Sequence, residues 1–140
     1  MTTNQHNILF LLLFFGCIYL ILTLNPPSRN FIPIIWGFLG FVLYWFLFFN
    51  TWLGLSRKLI DEHRSELKDL NISYHDNSFK KTVDMFALFQ KRKKIEDLSA
   101  DLKISFSYYQ TYFRLAIIGF IVTAILGVYV VFINGLLLVD

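Results

Sequence analysis

Leu115–Ile133 reads LAIIGFIVTAILGVYVVFI, nineteen residues without a charge, set between Arg114 and Asn134. At 1.5 Å per residue such a helix is about 28 Å long, close to the hydrocarbon thickness of a bilayer. The polar run before it, from Leu98 to Thr111, carries a helical stripe that leads into it. No Pro follows Pro33, and no Gly lies between Gly54 and Gly119. Leu98 to about Leu138 is therefore expected to be one helix, its first turns in water and the rest in lipid. Ser99 is its candidate cap, and Leu98, Leu102, Phe106, Tyr109 and Phe113 form its inner stripe.

Two more apolar blocks lie upstream. Ile8–Leu24 is seventeen residues without a charge, near the lower limit for a span. A cleaved signal peptide is disfavoured because no Lys or Arg precedes the block and no A-x-A site follows it. Phe14-Phe15-Gly16-Cys17 loosely resembles a lipobox, but Ile18–Leu24 stays apolar beyond it, so a retained helix is the better reading. Asn25-Pro26-Pro27-Ser28-Arg29-Asn30 then makes a tight turn. Phe31–Leu55 is the second span, with Pro33 in its first turn, where a missing N–H costs little. Trp36 and Trp52 near its ends fit aromatic belts.

Fifty-six per cent of the 140 residues are hydrophobic, and this excess sits in the three blocks. The expected fold is an all-α membrane protein, one integral domain over residues 1–140. Its spans lie at about 8–24, 31–55 and 115–137, with a cytoplasmic helical insert at 56–111. That insert holds eleven of the thirteen Lys and Arg. The positive-inside rule then places it in the cytoplasm, together with the N-terminus, and places the C-terminus outside, for a multi-pass protein of an inner membrane.

Within the insert, Ser56–Leu70 sets Leu59, Ile60, His63, Leu67 and Leu70 on one helical face. Asn77 or Ser78 is expected to cap a helix from Phe79 to about Lys91, with Phe79, Val83, Phe86 and Phe89 on one face. Lys91, Arg92, Lys93 and Lys94 close it, suited to the negative end of the helix dipole. Two placements of the Phe face are open: in the headgroups of the cytoplasmic leaflet, with the four basic residues on anionic lipid, or against the Leu98–Phe113 stripe. Four basic residues are too few to argue for nucleic acid.

Small residues form the other candidate site. Gly119, Thr123 and Gly127 recur every four residues with Ala116 and Ala124 alongside, and Gly37 and Gly40 notch the second span. Such faces let helices approach closely, within one chain, in a homo-oligomer or in a larger membrane complex. The signals for chemistry are weak. The spans hold no Asp, Glu, Lys or Arg, which argues against a stand-alone pump. His63 and Glu66 lack further ligands, so a salt-bridged helix face outweighs a metal site, and no metal or other cofactor is expected. The one cysteine, Cys17, permits no intrachain disulfide. No GxSxG, HExxH, P-loop or GxGxxG occurs. An enzyme is not expected.

In order and character, Leu59–Leu67 (LIDEHRSEL), the aromatic and basic stretch Phe86–Lys94, Glu96-Asp97-Leu98 and Tyr112-Phe113-Arg114 resemble the universal stress protein B type of small bacterial membrane protein. The resemblance covers roughly residues 55–135. This chain departs from it by a third, N-terminal span. It implies an inner-membrane protein with a stress-related role and carries over no catalytic residue. Three function classes follow: a non-enzymatic protein acting by helix–helix or lipid association, a cofactor-free small subunit of a respiratory or transport complex, and a holin-like protein.

Overall fold

The computed structural model describes residues 2–77 and 80–136. The described residues are mostly helical, with one short hairpin among them. In chain order the elements are α1 (Thr3–Thr23), a 3-10 turn (Ser28–Phe31), α2 (Ile32–Trp36), a π-helical run (Gly37–Val42), α3 (Leu43–Glu62), α4 (Arg64–Asp69), β1 (Tyr74–Asn77), β2 (Lys80–Val83), α5 (Met85–Gln90), α6 (Arg92–Glu96) and α7 (Ala100–Leu136). Among the described residues, three helices are long and apolar enough to cross a membrane: Thr3–Thr23, Ser28–Glu62 and Ala100–Asn134. The chain divides into two compact units, residues 1–46 with 111–140, and residues 47–110.

In the first unit, α1 starts five residues before the apolar block because Thr2 caps it. The Thr2 hydroxyl accepts from the Gln5 N–H, and the Gln5 side chain accepts from the Thr2 N–H, a capping box. This brings His6, which the sequence places outside any span, into the helix. Phe10, Cys17 and Ile21 line the buried face of α1, and Cys17 packs there as a small hydrophobe. The Phe10 ring stands edge-on to Trp36 at 5.1 Å and to Tyr44 at 5.5 Å. From α7, Tyr112, Leu115, Ala116, Gly119, Leu126 and Val130 turn inward, at mostly three- and four-residue steps.

The second unit departs from expectation in two places. The helix expected over Phe79–Lys91 is replaced by the antiparallel hairpin β1–β2, with Tyr74 opposite Val83 and His75 opposite Thr82, followed by the shorter α5. Thr82 and Val83 are β-branched and favour extended backbone. Val83 is also held at both backbone polar groups. Its N–H donates to the Ser56 hydroxyl at 3.2 Å, and its carbonyl accepts from the Trp52 indole at 3.1 Å. The helix start passes to Asp84, whose carboxylate accepts from the N–H groups of Phe86 and Ala87. Ser78 and Phe79, expected as cap and first aromatic, lie outside the described residues. So do Leu137 and Leu138 at the end of the last helix.

The second departure is at His63, where backbone angles of φ −132° and ψ 36° separate α3 from α4. Leu59, Ile60 and Leu67 are nonetheless buried, as their spacing requires. Leu102, Phe106 and Tyr109 of α7 are fully buried, and Ser99 caps α7 through the Leu102 N–H. Phe48 stacks on Tyr109 at 5.0 Å. Ion pairs join Lys58 to Asp101, Arg64 to Asp76 and Lys81 to Asp61. All three are partly exposed and contribute little apiece.

Replacing the Asp84 cap tests this local account. Asp84→Ala is expected to destabilise the second unit by about 1 kcal/mol, and Asp84→Asn, which keeps an acceptor oxygen, by much less. Thermal unfolding of the two variants in detergent reads the difference.

Candidate helix-packing site and basic surface

The tightest approach in the first unit is between the π-helical run and α7. A Cβ placed on Gly119 would overlap the Gly40 carbonyl, which is backbone and cannot yield. A Cβ on Gly40 would come within 2.5 Å of the Trp36 ring, which folds back over it. Gly37 faces Thr123, whose Cγ2 would lie 3.3 Å from an added Cβ. The π-helical run carries both glycines, and such wider turns recur where a helix must deform to make a contact. Trp36 is completely buried, and its indole N–H donates to the Gly119 carbonyl at 3.2 Å. The Thr123 hydroxyl donates to the same carbonyl at 2.7 Å. Ala116 is fully buried on this face.

Of the small residues singled out in the sequence, Gly37, Gly40, Gly119 and Thr123 thus meet, and Ala116 joins their buried face. Gly127 does not: nothing lies within 4 Å of a Cβ built there. The reason is helical phase. Each four-residue step turns the side chain about 40° further, so Gly127 points about 80° away from Gly119.

Two polar clusters in this unit were not legible as sites. Near the Pro-Pro turn, the buried Arg29 donates from Nε (3.1 Å) and Nη2 (2.7 Å) to Oδ1 of Asn134, and Asn134 donates to Asn30 at 2.7 Å. Asn134 lies in the last turn of α7, where a cation also meets the negative end of the helix dipole. At the other end of α1, the His6 ring lies 3.0 Å from the Tyr112 hydroxyl, the Tyr44 hydroxyl donates to the His6 carbonyl, and Arg114 donates to Asn7. The residue types are visible in the sequence. Their pairing across about a hundred positions is not.

In the second unit the basic run does not simply end a helix. Lys91 closes α5, and the rest of the run opens α6. All four residues are exposed, and among the described residues Arg92 alone of the four forms an ion pair, with Glu96 at 2.8 Å. With Phe89 and Gln90 they line a shallow depression. The aromatic face expected beside them is split. Val83 and Leu88 are buried, Phe89 packs on Tyr109 at 4.8 Å and near Phe106 at 6.5 Å, and Phe86 is 78% exposed. His63 Nδ1 lies 3.3 Å from Glu66 Oε1, an interaction within one helical turn. Among the described residues, no three metal-binding side chains gather.

The fold thus defines an all-α membrane protein with three transmembrane helices and a helical insert between the second and third. No family model, curated protein or solved structure matches the chain.

Two substitution series probe the first unit. Gly119→Leu should destabilise it by about 1–3 kcal/mol or more, because the obstacle is backbone, while Gly127→Leu should change stability by less than about 0.5 kcal/mol. Arg29→Ala should cost about 1.5–3 kcal/mol, and Arg29→Lys should recover little of it, since an ammonium cannot reproduce the two-pronged contact. Thermal unfolding in detergent or nanodiscs measures both.

Proposed function

We propose that this chain is a non-enzymatic, multi-pass protein of a bacterial inner membrane that acts by association with partner helices and anionic lipid. Residues 56–111 lie in the cytoplasm in this reading, and the C-terminus lies outside. The observation that carries it is how the polar groups are used. Within the first unit, Trp36, Arg29, His6, Tyr44 and Tyr112 all bond to neighbouring helices or turns. Along the middle of the long helices the outward side chains are apolar, among them Leu12, Phe15, Val128 and Val131. Hydrocarbon is the natural solvent for such a surface. The basic run, by contrast, stays exposed in the insert.

A second reading is a small cofactor-free subunit of a respiratory or transport complex. It is favoured by the open space over Gly127 and the exposure of Ala124, which leave a small-residue notch on α7 unused within the chain. A stress-related role is the contribution of the family resemblance. The holin-like reading predicts permeabilised cells on expression; the association readings predict intact ones.

Orientation is tested directly. A reporter active only outside the cytoplasm should work when fused after Asp140 and be silent when inserted at Asn77. The opposite pattern would remove the cytoplasmic leaflet from the proposal. Dye entry on induced expression, if seen, would favour the holin-like reading instead.

A further inference from the structure

The division of the aromatic residues in the insert is more specific than the amphipathic helix read from the sequence. Phe89 and Leu88 are committed to the interior of the second unit. Phe86 is 78% exposed, the most exposed of the large hydrophobic side chains among the described residues. It sits one helical turn before Gln90, which with Phe89 lines the shallow basic depression of Lys91, Arg92, Lys93 and Lys94. Asp84 fixes the start of the turn that bears Phe86 by capping it at Phe86 and Ala87. An exposed aromatic on a capped turn, beside lysines that form no ion pair among the described residues, joins an apolar anchor to a cationic rim.

We propose that Phe86, together with Lys91, Arg92, Lys93 and Lys94, is a docking element for the anionic surface of a bilayer, Phe86 entering the headgroup region and the basic residues meeting lipid phosphates. This rests on the association reading above and names its lipid-facing part. Charge complementarity selects the occupant, since a leaflet rich in anionic headgroups attracts Lys and Arg close to its surface. Connectivity favours it as well. The insert is joined at both ends to apolar helices long enough to span, so headgroups are always at high effective concentration. A phenylalanine and four basic residues are two weak signals that together suffice for a tethered segment, as two-signal membrane anchors do for free proteins. Each basic residue near such a surface shifts the docked-to-free ratio by roughly fivefold. Removing the three lysines alone should then shift it by about a hundredfold.

The test uses the full chain with Cys17→Ala and a nitroxide at Gln90→Cys, in phosphatidylcholine nanodiscs with and without phosphatidylglycerol. The readout is collision of the nitroxide with a water-soluble nickel chelate relative to oxygen. In discs with phosphatidylglycerol the label should be shielded from nickel, and high salt should weaken the shielding. Phe86→Ser, and separately the change of all four basic residues to Gln, should each return it to the exposure seen in neutral discs. Equal nickel access in both lipids, or shielding that survives either variant, would overturn the proposal. Co-elution with the discs and unchanged helical circular dichroism are recorded on the same samples. A chain that co-elutes but shows no shielding defeats only the docking element. A chain that fails to stay in the discs defeats the membrane reading beneath it.

Discussion

The backbone of Gly40 and the Cα of Gly119 touch, and the first unit is arranged around that contact. Between helices in lipid there is no water to expel, so the hydrophobic effect that builds soluble cores is absent and close packing has to replace it. Two glycines facing each other provide such packing. The removal of both side chains also creates the space in which Trp36 lies over Gly40 and reaches the Gly119 carbonyl. One steric fact therefore fixes a helix crossing, the rotamer of a large aromatic and a buried hydrogen bond. The π-helical run Gly37–Val42 belongs to the same solution, since it carries both glycines.

The two units are stabilised by different physics. In residues 47–110, Leu102, Phe106 and Tyr109 are fully buried beside Leu59, Leu67, Leu88 and Ile95. If this segment is in water, as its charge content requires, burial of that kind contributes about 1.5–3 kcal/mol per large side chain. In the first unit many large side chains point outward. Stability there comes from shape and from polar groups made specific by their cost in lipid. Arg29 shows this most plainly. A buried guanidinium must be paired, and this one is paired with an amide in the last turn of α7. The His6–Tyr112 contact has the same logic at the opposite end of α1.

The insert shows how a capping residue and a pair of side-chain hydrogen bonds override a helical pattern. Phe79, Val83, Phe86 and Phe89 have helical spacing, yet Val83 is drawn into a strand by Ser56 and Trp52. The helix that remains starts at Met85, and its Phe86 side chain is left exposed. An apparent amphipathic face is thereby converted into one buried half and one exposed anchor. The exposed apolar surface of the insert is smaller than the sequence suggests and more sharply defined.

The sequence by itself determined the three long apolar helices, the turn at Pro26-Pro27, the cap at Ser99 and the stripe from Leu102 to Tyr109. Each is a local matter of length, punctuation or periodicity, so short windows suffice to read it. It also pointed to small residues as a packing face, without saying which of them would be used. Gly119 and Gly127 are equivalent in the sequence. Only the crossing at Gly40, with the phase drift of an α-helix along α7, separates the one in contact from the one in the open. The hairpin at Tyr74–Val83 and the pairing of Arg29 with Asn134 were likewise decided in three dimensions. Their partners lie on other elements, and a backbone choice made by a distant hydroxyl or indole leaves no periodic trace in the residues that make it.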